Sequence, residues 1–331
     1  MVMRTPAFKL VVNGEDVTEK LKPLFVELSV TDDAKDESDA LELVLVRQPT
    51  LVIPHRGAIL EASIGFLESG LIKVGRYVVD EREIDEDSRL VVLRCKGTPL
   101  NTNASYKQMQ SQRTQAWQAG TLGVVLQSIA KRNGLNASIS PSLAGIPMTA
   151  FYQRQESDLH LVQRLARTNH ATFKINGGSL IFQALGSLIT PTGQNLPLHR
   201  FNAKEVSSLQ YSDGGRGEGG SCVARYRSRT QKKAESIIVG SGEPVRRLKT
   251  VFPSLSQAQQ AASAHLNQTQ KSSRRLSLKL PLGDTSIFAL HKVTITGTTP
   301  PIAGVTWQII RVTHNFDLTQ GLTTQLNCEG D

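Results

Sequence analysis

The sequence predicts a mainly β fold interrupted by an α+β insertion. Three observations carry this reading. The first hundred residues are short apolar runs closed by turn residues, residues 121–182 switch to a helical period, and the last strands echo the first ones.

With 331 residues the chain has length for two or three domains, each with its own core. FKLVVNG and LFVELSVTDD are apolar runs ended by turn residues. In DALELVLVR, Glu42 faces away from Leu41 and Leu43. GAILEASIGF, GRYVVDERE and RLVVLRCKG continue the pattern, so residues 1–100 read as a first antiparallel β domain. The acidic run DEREIDED, from Asp80, reads as a solvated hairpin tip.

Residues 101–186 read as an insertion of two capped helices and a hairpin. In TLGVVLQSIAKRNGL, Leu122, Val125, Leu126, Ile129 and Ala130 fall on one helical face. Thr121 is placed to cap its start, and Gly134 sits where a left-handed residue ends a helix. Further on, Ser157 or Asp158 is placed to cap a helix with Leu161, Val162, Leu165 and Ala166 inward and Asn169 as its stop. Glu156 and Asp158 complement the positive helix start, with Arg164 and Arg167 toward the other end. ATFKINGGSLIF then alternates across Asn176-Gly177-Gly178, a hairpin signal.

Glu156, Asp158, His160 and His170 lie close enough in sequence to suggest a catalytic cluster. Capping accounts for them more simply. Carboxylates two apart on a helix point in different directions, because neighbours on one face are three or four apart.

Residues 187–331 read as a second β domain with one helix at about 254–272. SDGGRGEGGS lacks the Gly-Lys-Ser/Thr ending of a phosphate loop, and RYRSRTQKK reads as a solvated or partner-facing loop. In SLSQAQQAASAHLNQTQ, Ser256 and Gln259 stand in capping-box register, and strands resume from Leu276.

ILEASIGF…GRYVVDERE…RLVVLRCKG near the start is echoed by LHKVTITGT…GVTWQIIRVTH…LTTQLNCEG near the end. Gly65 matches Gly297, Gly75 matches Gly304, Tyr77 matches Trp307, and Cys95–Gly97 matches Cys328–Gly330. The span from first to last glycine is 32 residues in one copy and 33 in the other, so a duplicated β unit is expected.

The chemistry-bearing residues form no catalytic pattern. The seven histidines make no H-E-x-x-H, no G-x-S-x-G elbow is present, and Cys95, Cys222 and Cys328 have no second ligand at zinc spacing. The three cysteines suit small buried hydrophobes in a reducing compartment. The start carries no apolar signal segment and no run approaches a membrane span, so a soluble chain made in the cytoplasm is expected. Residues 1–100 hold 13 Lys and Arg against 18 Asp and Glu, whereas residues 101–331 hold 25 against 11. This asymmetry suits subunits docking head to tail through opposite charge. Nucleic-acid binding through Arg225, Arg227, Arg229, Lys232 and Lys233 is disfavoured, because no aromatic–basic interleaving accompanies them.

LSVTDDAKDESDALELVL, PHRGAILEASIGF, GRYVVDERE, TLGVVLQSIAKRNGLNASISPSLAGI, QESDLHLVQRLARTNHATFKINGGSLIF and GVTWQIIRVTHNF…GLTTQLNCEG occur in an order that resembles the late control protein D family. That family forms the baseplate hub of contractile phage tails, with related hubs in phage-tail-like bacteriocins and type VI secretion spikes. The ASISPSLAGI…QESD…LVQRLA core is the most specific part. The long lysine-rich insertion of some members shrinks here to RYRSRTQKK…PVRRLK.

The resemblance implies two tail-tube-like antiparallel β-barrel domains plus a smaller helix-hairpin domain, assembled as a homotrimer. Such a ring joins the hexameric tail tube to the trimeric central spike, with the tape-measure protein and other baseplate proteins as neighbours. It implies a virion tail baseplate location, no catalysis, no cofactor or metal, and no membrane insertion. Two alternatives stand beside it: a peptidoglycan-binding module, since residues 121–134 resemble the first helix of a LysM domain, and a muralytic enzyme. For the subunit interface the expected residues are Asp80, Glu83, Asp85 and Glu86 on one chain against Arg225, Arg227, Arg229, Lys232 and Lys233 on the next.

Overall fold

A computed structural model describes residues 4–34, 39–49, 51–97, 108–169, 171–176, 178–184, 193–214, 220–227, 234–252 and 254–330. The first unit comprises β1 (Pro6–Val12), β2 (Glu15–Asp16), β3 (Phe25–Asp33), β4 (Ala40–Val46), β5 (Ile59–Phe66), β6 (Gly70–Asp85) and β7 (Leu90–Gly97). Its strands alternate: Leu41, Leu43 and Leu45 turn inward from β4 while Glu42 stays exposed.

The insertion contains β8 (Gln112–Trp117), β9 (Gly120–Thr121), β10 (Asn136–Ile139), β11 (Pro147–Met148), β12 (Phe151–Ser157), β13 (Ala171–Asn176) and β14 (Ser179–Ala184). Helices Leu122–Arg132 and Asp158–Thr168 pack their apolar faces into one core with Phe182 and Leu180. Each starts as its sequence directs: Thr121 Oγ1 accepts from Val124 N, and Ser157 Oγ accepts from His160 N at 3.1 Å. Gly134 adopts φ +68°, the left-handed conformation that ends the first helix. The hairpin pairs β13 with β14, Asn176 opposite Ser179.

The remaining strands are β15 (Leu198–Asn202), β16 (Ser208–Asp213), β17 (Ser221–Arg227), β18 (Ala234–Gly240), β19 (Val245–Phe252), β20 (Arg274–Leu280), β21 (Lys292–Thr296), β22 (Trp307–Asp317) and β23 (Gly321–Gly330). Strands β18-β17-β19 form a separate small sheet under the Leu255–Ser273 helix, with Cys222, Ala224, Ala258 and Ala262 between them. That helix has a different cap from the one its capping-box register suggests. Ser254 Oγ, not Ser256, accepts from the third helical amide, Gln257 N at 3.4 Å.

The duplicated unit is visible in strand order. The first copy runs β3-β4-β7-β6-β5-β1 and the second β16-β20-β23-β22-β21-β15. Register agrees in the inner ladders: Leu41 faces Cys95 as Leu276 faces Cys328, and Tyr77 faces Gly97 as Trp307 faces Gly330, whereas the outermost pair differs, β1 antiparallel to β5 but β15 parallel to β21. A β-bulge interrupts both copies at the same place, between Val79 and Glu81 and between Ile309 and Arg311. The glycine matches are looser, since Gly75 lies two residues before Tyr77 and Gly304 three before Trp307.

Two separately closed barrels do not form among the described residues. The strands of both copies join one open 13-stranded sheet. The cause is β22, which outruns its pairing with β21 and takes β3 of the first copy along Arg311–Asp317. Phe316 thereby enters the first core, its ring 5.8 Å from Phe8 and 5.1 Å from Phe25.

Asp158 is the polar pivot of the insertion. It is 0% exposed and accepts from Arg132 Nη2 at 2.7 Å, Asn133 Nδ2 at 2.8 Å and Gln153 Nε2 at 3.0 Å, tying both helices to β12. Asp158→Ala removes the buried carboxylate that the Arg132 guanidinium and the Asn133 and Gln153 amides share, so a loss of about 3–5 kcal/mol is expected. Urea unfolding followed by tryptophan fluorescence checks this, with Trp117 in the same core as the reporter.

Candidate functional site

The three parts of the chain meet at the end of β3. Asp32 there receives the Lys174 ammonium from β13 and, at 2.9 Å, the backbone N–H of Ala289. Lys174 also reaches Asp39 at 3.1 Å, and Thr172 Oγ1 donates to the Ala34 carbonyl. Arg311 Nε of β22 lies 2.7 Å from Asp33 Oδ2. Ser29 and Asn315 (2.8 Å), then Thr31 and Thr313 (3.3 Å), continue the side-chain pairing along the β3–β22 seam.

This seam is buried and charged, so protonation matters. Burial raises the carboxyl of Asp39 to about 6, with the neighbouring Asp32 adding to the rise and Lys174 opposing it. For Asp32, burial also works upward, but the Lys174 charge and the Ala289 N–H outweigh it and hold this carboxyl below its usual range. Lys174 is the mirror image: burial works against its charge, and the two aspartates hold its pKa above the usual lysine value. Nearby, burial lowers His314 to about 4, and burial together with His199 lowers His291 to about 4. His314 Nδ1 lies 2.9 Å from Thr324 Oγ1, and His291 Nδ1 lies 3.0 Å from His199 Nε2.

The residues expected at a subunit interface are placed as follows. Asp80 and Glu83 belong to β6 itself, so the acidic run is a strand and only the turn beyond Asp85 is a tip. Asp80 pairs with Lys96 at 2.6 Å and Glu83 with Arg94 at 2.8 Å. Asp85 Oδ2 accepts from Ser88 Oγ at 2.6 Å, and Glu86 pairs with Arg47. These are exposed pairs of small energetic weight. Arg225 and Arg227 project from β17 in the separate small sheet, while Arg229, Lys232 and Lys233 lie outside the described residues. Within one chain the acidic and basic sets occupy different sheets.

The candidate catalytic cluster is not assembled as a whole, although His160 Nδ1 lies 3.6 Å from Glu156 Oε1 at the exposed helix start. Asp158 is sealed in its own network, Glu156 makes a two-pronged pair with Arg164 at 2.7 and 2.9 Å, and His170 lies outside the described residues. Among the described residues no group of three or more His, Cys, Asp or Glu is arranged to hold a metal ion. The apolar face of the 122–132 helix is buried in the insertion core. Sequence reasoning missed Lys174 and Asp32, because a lysine on a hairpin strand carries no local sign that an aspartate 142 positions away will pair with it.

The described residues form one sheet with a duplicated strand order and polar cross-links, and comparisons with known proteins place it among structural proteins of phage tails. Two curated proteins named "Probable baseplate hub protein", from Escherichia phage 186 and Escherichia phage P2, are 28% and 27% identical over 98% of this chain, covering 92% and 93% of their own lengths. The chain is a homologue of these hub proteins. No protein-family model matches it. The 43 kDa tail protein of prophage MuSo2 from Shewanella oneidensis shares the fold at a TM-score of 0.71, with 12% identity and 98% of each chain covered. A tail protein from Neisseria meningitidis MC58 gives 0.71, with 11% identity over 99% of this chain and 97% of its own. The E. coli c3393 protein, a type VI secretion component, gives 0.61, with 10% identity over 98% of this chain and 77% of its own.

The seam predicts how stability depends on pH. The unfolded chain protonates His291 and His314 near 6.5 and the folded chain only near 4, so their contribution is lost as pH falls between those values. Asp39 acts oppositely, because the folded carboxyl binds its proton near 6 and the unfolded one near 3.8. Asp39→Asn removes an opposing stabilisation on the order of 1–2 kcal/mol at pH 4–5. The variant's urea midpoint should therefore fall more steeply than wild type between pH 7 and pH 4.5.

Proposed function

We propose that the chain is the structural hub of a contractile-tail baseplate, a homotrimeric ring that adapts the six-fold tail tube to the three-fold central spike. The observation that carries this reading is the six-strand order repeated within one chain. Three such chains present six similar sheet units to a hexameric neighbour while keeping three equivalent sites for a trimeric one. The homology to two phage proteins named as probable baseplate hubs supports the same reading.

In this reading the chain divides into tube-like units at 1–100 and 187–331 and an insertion domain at 101–186. The tube-like barrel closes only when the open sheets of neighbouring chains meet. The work is mechanical rather than catalytic. The ring must hold tube and spike together while a sheath drives them, which calls for large permanent interfaces. Its partners are the tail tube protein, the central spike protein, the tape-measure protein on the tube side and other baseplate proteins. It is built in the bacterial host cytoplasm and resides in the virion tail baseplate. The acidic side chains along β6 and the basic ones around Arg225 and Arg227 supply opposite charge for neighbouring subunits.

Light scattering after size exclusion tests the ring. The expected mass is three times the 36.1 kDa of one chain. A particle of one-chain mass that also fails to bind tube and spike proteins would refute the hub.

A further inference from the structure

We infer that chains join edge to edge by antiparallel pairing of the far half of β6, residues 81–85, with β16, residues 208–213, of the next copy. The inference deepens the proposed ring and rests on it, but the residues come from the repeat alone.

Inside one chain, the sheet of the second copy is already joined to that of the first. The far half of β22, beyond its bulge, carries β3 on the edge that β21 leaves free. The counterpart of β22 is β6 and the counterpart of β3 is β16, because each pair occupies the same place in the repeated order. Both counterparts have open edges. Strand β5 pairs with β6 no further than Val78, and among the described residues β6 from Glu81 onward pairs only with β7. Among the described residues strand β16 pairs only with β20. The chain thus holds one formed joint and the two unmatched halves of a second joint of the same kind. The two halves lie on different copies of the repeat, so each chain offers one to each neighbour.

The formed joint also supplies the register. Thr313 faces Thr31 and His314 faces Val30 in β22–β3. Transferred through the matched bulges and the β3–β4 and β16–β20 ladders, these become Glu83 opposite Ser212 and Ile84 opposite Tyr211. Arg82 then stands opposite Asp213, and Asp85 opposite Gln210.

The side chains suit this register. Ile84 lies opposite buried Val91 on the core face of its sheet, yet is 46% exposed because no strand flanks it. Tyr211 lies opposite buried Leu276 on the core face of the second sheet. The joint would cover Ile84 with Tyr211 and set the Arg82 guanidinium against the Asp213 carboxylate. A one-residue slip would set Ile84 against Gln210 or Ser212 and Arg82 against Ser212 or Gly214, losing both the apolar contact and the charge pair.

Paired cysteines test the register in the full chain, since its own cysteines are buried. Ile84→Cys with Tyr211→Cys should oxidise to a covalent species of three chains, whereas Ile84→Cys with Ser212→Cys, whose thiols would lie on opposite faces, should not. As a second route, Arg82→Asp and Asp213→Arg should each raise the concentration needed for assembly about tenfold, and together restore it. A three-chain mass with no Ile84–Tyr211 cross-link and no charge rescue would overturn this joint and leave the ring standing. A single-chain mass for the unmodified protein at all concentrations would overturn both.

Discussion

The architecture depends on one antiparallel ladder, the pairing of β22 with β3. It joins two similar sheets, one from each end of the chain, across Arg311–Asp317 and Glu27–Asp33. Without it the two copies would each need their own closure. With it, Phe316 fills the first core, the Arg311–Asp33 pair fixes the register, and the last strands are held next to the first. A ladder between residues so distant in sequence carries a large loop-closure cost, offset by the main-chain hydrogen bonds and the aromatic burial that accompany it.

The insertion is fastened to that ladder by charge rather than by a continuous apolar interface. Lys174 reaches from its hairpin to Asp32 and Asp39, and Thr172 donates to the Ala34 carbonyl beside them. A half-buried lysine between two carboxylates is weak evidence for net stability but strong evidence for geometry, because any displacement weakens two charge pairs at once. The protonatable Asp39 and the neutral His291 and His314 make the same region the most pH-responsive part of the core. In the proposed hub, which holds its neighbours under load, a polar lock at the meeting point of all three parts would resist sliding better than a smooth apolar contact.

Much of the local structure was legible in the residues. Leu122, Val125, Leu126 and Ile129 marked one buried helical face, Thr121 and Ser157 marked two caps, and Gly134 marked a helix end, all through contacts within a few residues. The repeat was legible too, through Tyr77 and Trp307 and through Cys95 and Cys328, since these occupy equal places in the pleat of both copies. Its detail was not. The glycines tolerate a shift of one residue, and the matched bulges leave no compositional trace. The acidic run from Asp80 read as a tip because charge and solvation resemble each other in a loop and on an open strand edge. Asp158 read as a helix-end charge, and its burial came from Arg132 and Gln153 on separate elements.

The sequence by itself determined the class of fold, the duplicated unit, the helix limits to within a few residues and the family resemblance, because these depend on short-range periodicity and on residue order. Only the tertiary structure decided that the two copies share one open sheet, that Lys174 is held between Asp32 and Asp39, and which strand edges stay open. Those outcomes depend on which of several compatible edges meet, and hydrogen-bonding backbone is the same at every edge. Choice among them is made by side chains brought together from opposite ends of the chain, whose energies exist only once the chain has folded.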